Sequence, residues 1–87
     1  MEFKGKVWRD GSMWLIEVPS LNLMTQGRSK KDAFVMIRDA ALGLIECYLE
    51  SDMPKGFDVT VIDHRRGSFS ISSNDDKSLL VLASKLL

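Results

Sequence analysis

The residues able to do chemistry in this 87-residue chain are a scatter of carboxylates and one histidine flanked by arginines. Glu2, Asp39, Glu46, Asp58 and Asp63 are the acids that could converge on a divalent cation, the arrangement by which metal-ion nucleases cut a phosphodiester. Such a site needs an acid on the middle of a first strand, another on a helix and another on a later strand. The middle of the first strand segment reads Lys4-Gly5-Lys6 instead, with Glu2 only at its start, so these carboxylates read as solvated side chains. His64, in "DHRRG", could orient a phosphate with Arg65 and Arg66 or act as a base, yet no second histidine supports it and a charged hairpin tip is ordinarily just solvated. Cys47, the single cysteine, falls in a helical pattern next to the core stripe as a small buried hydrophobe, and a lone cysteine excludes a disulfide framework or a cysteine-based zinc site. No catalytic, metal or cofactor residue emerges.

Twelve basic and twelve acidic residues cancel, which argues against a bulk electrostatic grip on nucleic acid. "KGK", "GRSKK" and "HRRG" read as separate basic clusters. The start, "MEFKGKVWRD", lacks the apolar stretch of a secretion signal, and no run reaches membrane-spanning length, so a cytoplasmic protein without membrane association is expected. A domain this small buries only about 60–65% of its unfolded surface, a common reason to oligomerise.

The elements that must position these residues follow from turn chemistry and periodicity. Asp10-Gly11 between "EFKGKVW" and "MWLIEV" predicts a two-residue hairpin turn of the I′ type. Closing there pairs Trp8 with Met13, Lys4 with Glu17 and Phe3 with Val18. Phe3, Val7, Trp14, Ile16 and Val18 then share one face. Pro19 ends the second strand, "LNLMTQ" makes a short third, and Gly27 permits a sharp exit. Ser29 and Asp32 form a capping-box pattern for a helix from Lys30 to about Glu50, with Phe34, Ile37, Ala41, Leu44, Ile45 and Tyr48 toward the sheet. Pro54 and Gly56 stop it; "FDVTVID" and "SFSIS" are strands about the "HRRG" turn, and "SNDDKSLLVLASKLL" is a second helix striped by Leu79, Leu80, Leu82, Ala83, Leu86 and Leu87.

The class is therefore α+β, in the order β-β-β-α-β-β-α. A right-handed crossover through the main helix lays the fourth strand beside the first, in sheet order 3-2-1-4 with the helix on one face, half of a ribonuclease H-like fold.

The segment "GKVWRDGSMWLIEVPSLNLMTQGRSKKDAFVMIRDAALGLIE" resembles the N-terminal domain of HicB-type antitoxins of bacterial toxin–antitoxin pairs. The matching positions are Gly11, Trp14, Val18, Pro19, Thr25, Gln26, Gly27, Ser29 and Ala33, and the likeness continues through "GFDVTVID" and "GSFSISSNDDKSLLVLA". Turn and cap geometry accounts for Thr25, Gln26, Gly27 and Ser29 by residue type alone. The resemblance implies an antitoxin domain over residues 1–74 that binds a HicA-like toxin, an mRNA-cleaving ribonuclease, and occludes its catalytic face. Residues 75–87 correspond to a helical segment that in similar members leads into a DNA-binding module, so contact with DNA would need residues beyond Leu87. A stand-alone regulatory or ligand-binding module of the same family is the alternative.

Trp8, Met13, Leu15 and Ile62 fall opposite the core face in the deduced register, with Met24 near them. They make the expected partner-binding patch, and Arg9 and Asp10 adjoin it at the hairpin tip. The second helix could instead fold over that face. Leu79, Leu82 and Leu86 are candidates for self-association into a homodimer or larger assembly, and Val35, Leu42 and Leu49 form a weaker second stripe on the main helix.

Overall fold

A computed structural model describes residues 1–50 and 53–86. Phe3, Val7, Ile16, Val18, Phe69 and Ile71 alternate with polar or exposed positions along their strands, and their buried sides meet one face of a helix. The result is an α+β unit of strands β1 (Glu2–Asp10), β2 (Met13–Val18) and β3 (Leu23–Gly27), helix α1 (Lys30–Leu49), strands β4 (Val59–Arg65) and β5 (Ser68–Ser73), and helix α2 (Asp76–Leu86). All adjacent strands are antiparallel.

The element sequence is as expected, and one neighbour relation is corrected. The sheet order is β3-β2-β1-β5-β4, not 3-2-1-4, because β5 inserts between β1 and β4. Burial explains the choice. Phe69, Ser70 and Ile71 of β5 are buried, as an interior strand requires, whereas β4 ends in the exposed Asp63, His64 and Arg65 and suits an edge. Gly5 completes the fit, since a Cβ there would collide with the Phe69 ring and the Glu17 carbonyl.

The first hairpin also turns one residue later than the Asp10-Gly11 pattern predicts. Asp10 pairs with Met13, Val7 with Ile16 and Lys6 with Glu17, so Gly11 and Ser12 form the turn. Gly11 alone has positive φ, at 63°, which is the demand of a II′ rather than a I′ turn. The shift along β2 is two residues, an even number, so each side chain keeps its expected face. Glu17 consequently lies across from Lys6 instead of Lys4. Pro19–Leu21 is a short 3-10 turn closed by Asn22 at φ 53°, so the expected third strand loses its first two residues.

Ser29 caps α1 by accepting the Asp32 N–H at 3.0 Å, and Asp32 Oδ2 accepts the Arg28 N–H at 2.9 Å. Ala33, Ile37, Ala41, Ile45 and Leu49 make the buried stripe of α1, with Phe34, Leu44 and Tyr48 half-buried beside it. Phe34 meets Phe69 edge to face, with ring centroids 5.6 Å apart. At the other end of β3, Gly27 sits so close to the backbone of Asp32 and Ala33 that a side chain would not fit. Its task is close approach to α1 rather than an unusual backbone angle.

Helix α2 lies against α1 and β5 and joins the same core through Leu79 and Leu82, both fully buried. Lys85 Nζ donates to the Tyr48 carbonyl at 2.7 Å, tying the end of α2 to the last turn of α1. Two expectations are corrected here. Leu79 and Leu82 are consumed by the chain's own core and cannot also form a self-association stripe, with Leu86 half-buried alongside. Leu80, expected in the apolar stripe of this helix, points outward at 58% exposure, while Leu87 lies outside the described residues. Residues 76–86 thus pack as part of the one core with residues 1–50. On α1, Leu49 is buried and Leu42 half-buried, leaving Val35 as the exposed member of the weaker stripe, and Cys47, expected to be buried, is exposed because it falls off the buried side of the helix.

Candidate interaction face

Both helices occupy one side of the sheet, so the other side is bare. Alternation along each strand assigns its side chains. From β1 come Glu2, Lys4, Lys6 and Trp8; from β2, Met13, Leu15 and Glu17; from β3, Met24 and Gln26. From β5 come Ser68, Ser70 and Ser72, and from β4, Thr60 and Ile62.

The face divides into two regions. Trp8 stands directly across from Leu15, Leu15 from Gln26, and Met24 from Glu17. Met13 continues the β2 row toward the hairpin tip. Trp8 is 36% exposed and Met24 59%, so an aromatic and thioether surface faces outward beside the half-buried Leu15 and Met13. The expected set Trp8, Met13 and Leu15 is therefore brought together. Ile62 is not, because β5 separates β4 from β1, and the expected adjacency rested on the corrected sheet order. Asp10 lies on the Trp8 side at the hairpin tip. Arg9 alternates to the opposite side and bends to the tip, where its Nε donates to the Gly11 carbonyl at 3.0 Å.

The second region is polar. The Ser70 hydroxyl, fully buried on this face, donates to Glu2 Oε1 at 2.9 Å and lies 2.8 Å from His64 Nε2. With its one proton committed to Glu2, Ser70 can only accept from the imidazole, so His64 is the donor through Nε2. An activated serine needs the reverse, with Nε2 accepting the hydroxyl proton. The chain Glu2–Ser70–His64 is a hydrogen-bonded brace across three strands. His64, expected as a merely solvated tip residue, reaches it by alternation, two residues on from Ile62, while the bulge between Asp63 and Arg65 sets Arg65 across from Ser68.

The other acids are engaged separately. Asp58 pairs with Arg38, and Asp63 lies 3.5 Å from Lys30 Nζ and accepts the Arg65 N–H at 2.8 Å. That backbone N–H, followed by Lys30, holds the Asp63 carboxyl below its ordinary value of 3.8. Among the described residues no three acidic, histidine or cysteine side chains converge as a metal cluster would.

The family-motif residues are placed by the fold itself. Trp14 lies across from Gly27 and half-buried against the core; Thr25 is half-buried toward α1, Gln26 is exposed on the bare face, and Pro19 adjoins Lys4 and Lys6. Sequence reasoning missed the convergence of Lys4, Lys6 and Arg66, which follows only once β5 is known to flank β1. No helix among the described residues is long and apolar enough to cross a membrane.

The fold and face define a small α+β protein with one side of its sheet free. No protein-family model, curated protein or solved structure matches the chain. The likeness to HicB-type antitoxins rests on the residues quoted for it.

Proposed function

We propose that the chain is a HicB-type antitoxin domain that binds a HicA-like ribonuclease and covers its catalytic face, acting as a binding protein of the cytoplasm rather than as an enzyme. The observation that carries this reading is the bare sheet side with Trp8 exposed beside Met13, Leu15 and Met24, an aromatic anchor within an apolar surface. Toxins that bind RNA tend to be basic, and Lys4, Lys6 and Arg66 would repel such a partner from the β5 side of this face. The contact is therefore centred on the β2–β3 side, where Glu17 supplies the complementary charge. The buried stripe of α2 removes one route to the expected homodimer, which would have to use another surface.

Co-expression with the product of the neighbouring open reading frame tests the reading. Co-purification of a small basic ribonuclease through a tag on this chain, with relief of its toxicity, is the expected result. A toxic neighbour that is neither bound nor neutralised would exclude it. The alternative, a regulatory or ligand-binding module of the same family, is favoured by a separate observation, the basic depression on the β5 side.

A further inference from the structure

Two basic stretches far apart in the chain meet on the bare face. Lys4 and Lys6 are alternate residues of β1 and share one side, and Arg66 enters from the β4–β5 turn. With Pro19, Gly67 and Ser68 they line a depression of about 420 Å³. None of the three cations is ion-paired among the described residues. Glu2 and Glu17 lie on the same face, but neither is within ion-pair distance of Lys4, Lys6 or Arg66.

The turn makes the placement of Arg66 notable. Arg65 pairs with Ser68, leaving Arg66 and Gly67 as a two-residue loop with φ of 54° and 81°, the pattern of a I′ turn. Asn, Asp or Gly suits the first of these positions, and a long side chain there carries backbone strain. Arg65, at φ 71°, shares the left-handed backbone, but Arg66 is the arginine that lines the depression and adds a third cation to the two already there.

Trp8 is the next residue on the same side of β1 after Lys6. The Val7 N–H donates to the Gly67 carbonyl at 2.9 Å, which anchors the β4–β5 turn to β1 one residue before Trp8. Alternate residues of a strand are about 6.6 Å apart, a separation comparable to that between a nucleotide's phosphate and its base.

We propose that this face binds a nucleotide unit, with Lys4, Lys6, Arg66 and the Ser68 hydroxyl around its phosphate and Trp8 stacked on its base. The Arg66 guanidinium offers a planar fork to two phosphate oxygens, the lysines add compact charge, and indole stacking tolerates any base. The net charge of zero does not oppose this, because the three cations line one depression; Glu2 and Glu17 share the face and set the expectation of weak, salt-sensitive binding. The inference does not rest on the toxin reading. The nucleotide is either free or part of a single strand, and the two sources are distinguishable.

Fluorescence anisotropy of a labelled oligouridine octamer at low salt, titrated with the full chain, tests the proposal. Binding is expected, with log K against log salt falling at a slope of about −0.7, the value for one neutralised phosphate of a single strand. Arg66→Asn and the double variant Lys4→Gln/Lys6→Gln should each weaken it about tenfold or more, and Trp8→Ala should do the same. Arg66→Asn should melt no lower than the parent, because Asn is at home at positive φ, so its loss of binding cannot be ascribed to misfolding. Competition by uridine monophosphate assigns the free nucleotide as the source; octamer binding without that competition assigns the strand. No binding at low salt, undiminished binding by Arg66→Asn or Trp8→Ala, or equal competition per phosphate by duplex DNA would each overturn the proposal.

Discussion

Phe69 of β5 lies directly across from Gly5 of β1, and its ring occupies the space that a side chain at residue 5 would fill. The Glu17 carbonyl closes the same space from β2. One glycine thus gives room to the strands on both sides of β1, and through Phe69 it also supports Phe34 on α1.

Gly5→Ala should therefore destabilise the fold by about 1–3 kcal/mol, the usual cost of forcing a methyl group into a filled core. Urea denaturation measures it. A neutral or stabilising outcome, as expected for a glycine in an open strand, would contradict the packing of β5 against β1.

The two tryptophans should separate cleanly. Trp14 is half-buried against the core, so Trp14→Ala should lower stability by about 2–3 kcal/mol, below the range for a fully buried aromatic. Trp8→Ala should lower stability less than Trp14→Ala and, on the proposed toxin reading, weaken binding of that partner by about 2 kcal/mol or more. Isothermal titration of a co-purified toxin beside thermal melts of each variant reads both effects.

Leu82 is fully buried within the chain. Leu82→Ala should cost about 2–5 kcal/mol in unfolding free energy, with the loss independent of protein concentration. A loss that grows on dilution would instead place Leu82 between subunits.

Asp63 provides a pH test. Its carboxyl is held below 3.8 by the Arg65 N–H first and Lys30 after it, so the unfolded chain binds a proton more readily than the folded one. The stability it contributes is present above 3.8 and is lost as the pH falls through the lowered folded value. Asp63→Asn should accordingly show a smaller fall in melting temperature than the parent between neutral pH and acid. Parallel pH profiles of the two proteins would contradict the assignment.

The capping of α1 by Ser29, the main helix from Lys30, and the faces of β1 and β2 were legible because they depend on local spacing and on turn and cap residues. Even the misplaced hairpin turn preserved the faces, since the error along β2 was an even number of residues. The apolar patch at Trp8, Met13 and Leu15 was legible for the same reason. Ile62 was assigned to it wrongly because its position depends on the identity of the strand between β4 and β1, and local pattern carries no such information. The leucines of α2 likewise announced an apolar stripe without naming its partner, which proved to be α1 and β5.

What the residues alone determined is the set of elements, their buried sides and the neutral balance of charge, because helix and strand periodicity and turn chemistry act over a few residues. The tertiary structure decided that both helices share one side of the sheet, leaving the other bare. It also decided that "KGK" and the Arg66-Gly67 end of "HRRG" stand together on that bare side. The physical reason is that strand order is chosen by competition for burial across the whole chain. Phe69 and Ile71 required the interior place, Gly5 made room for them, and β4 with its charged end was left at the edge.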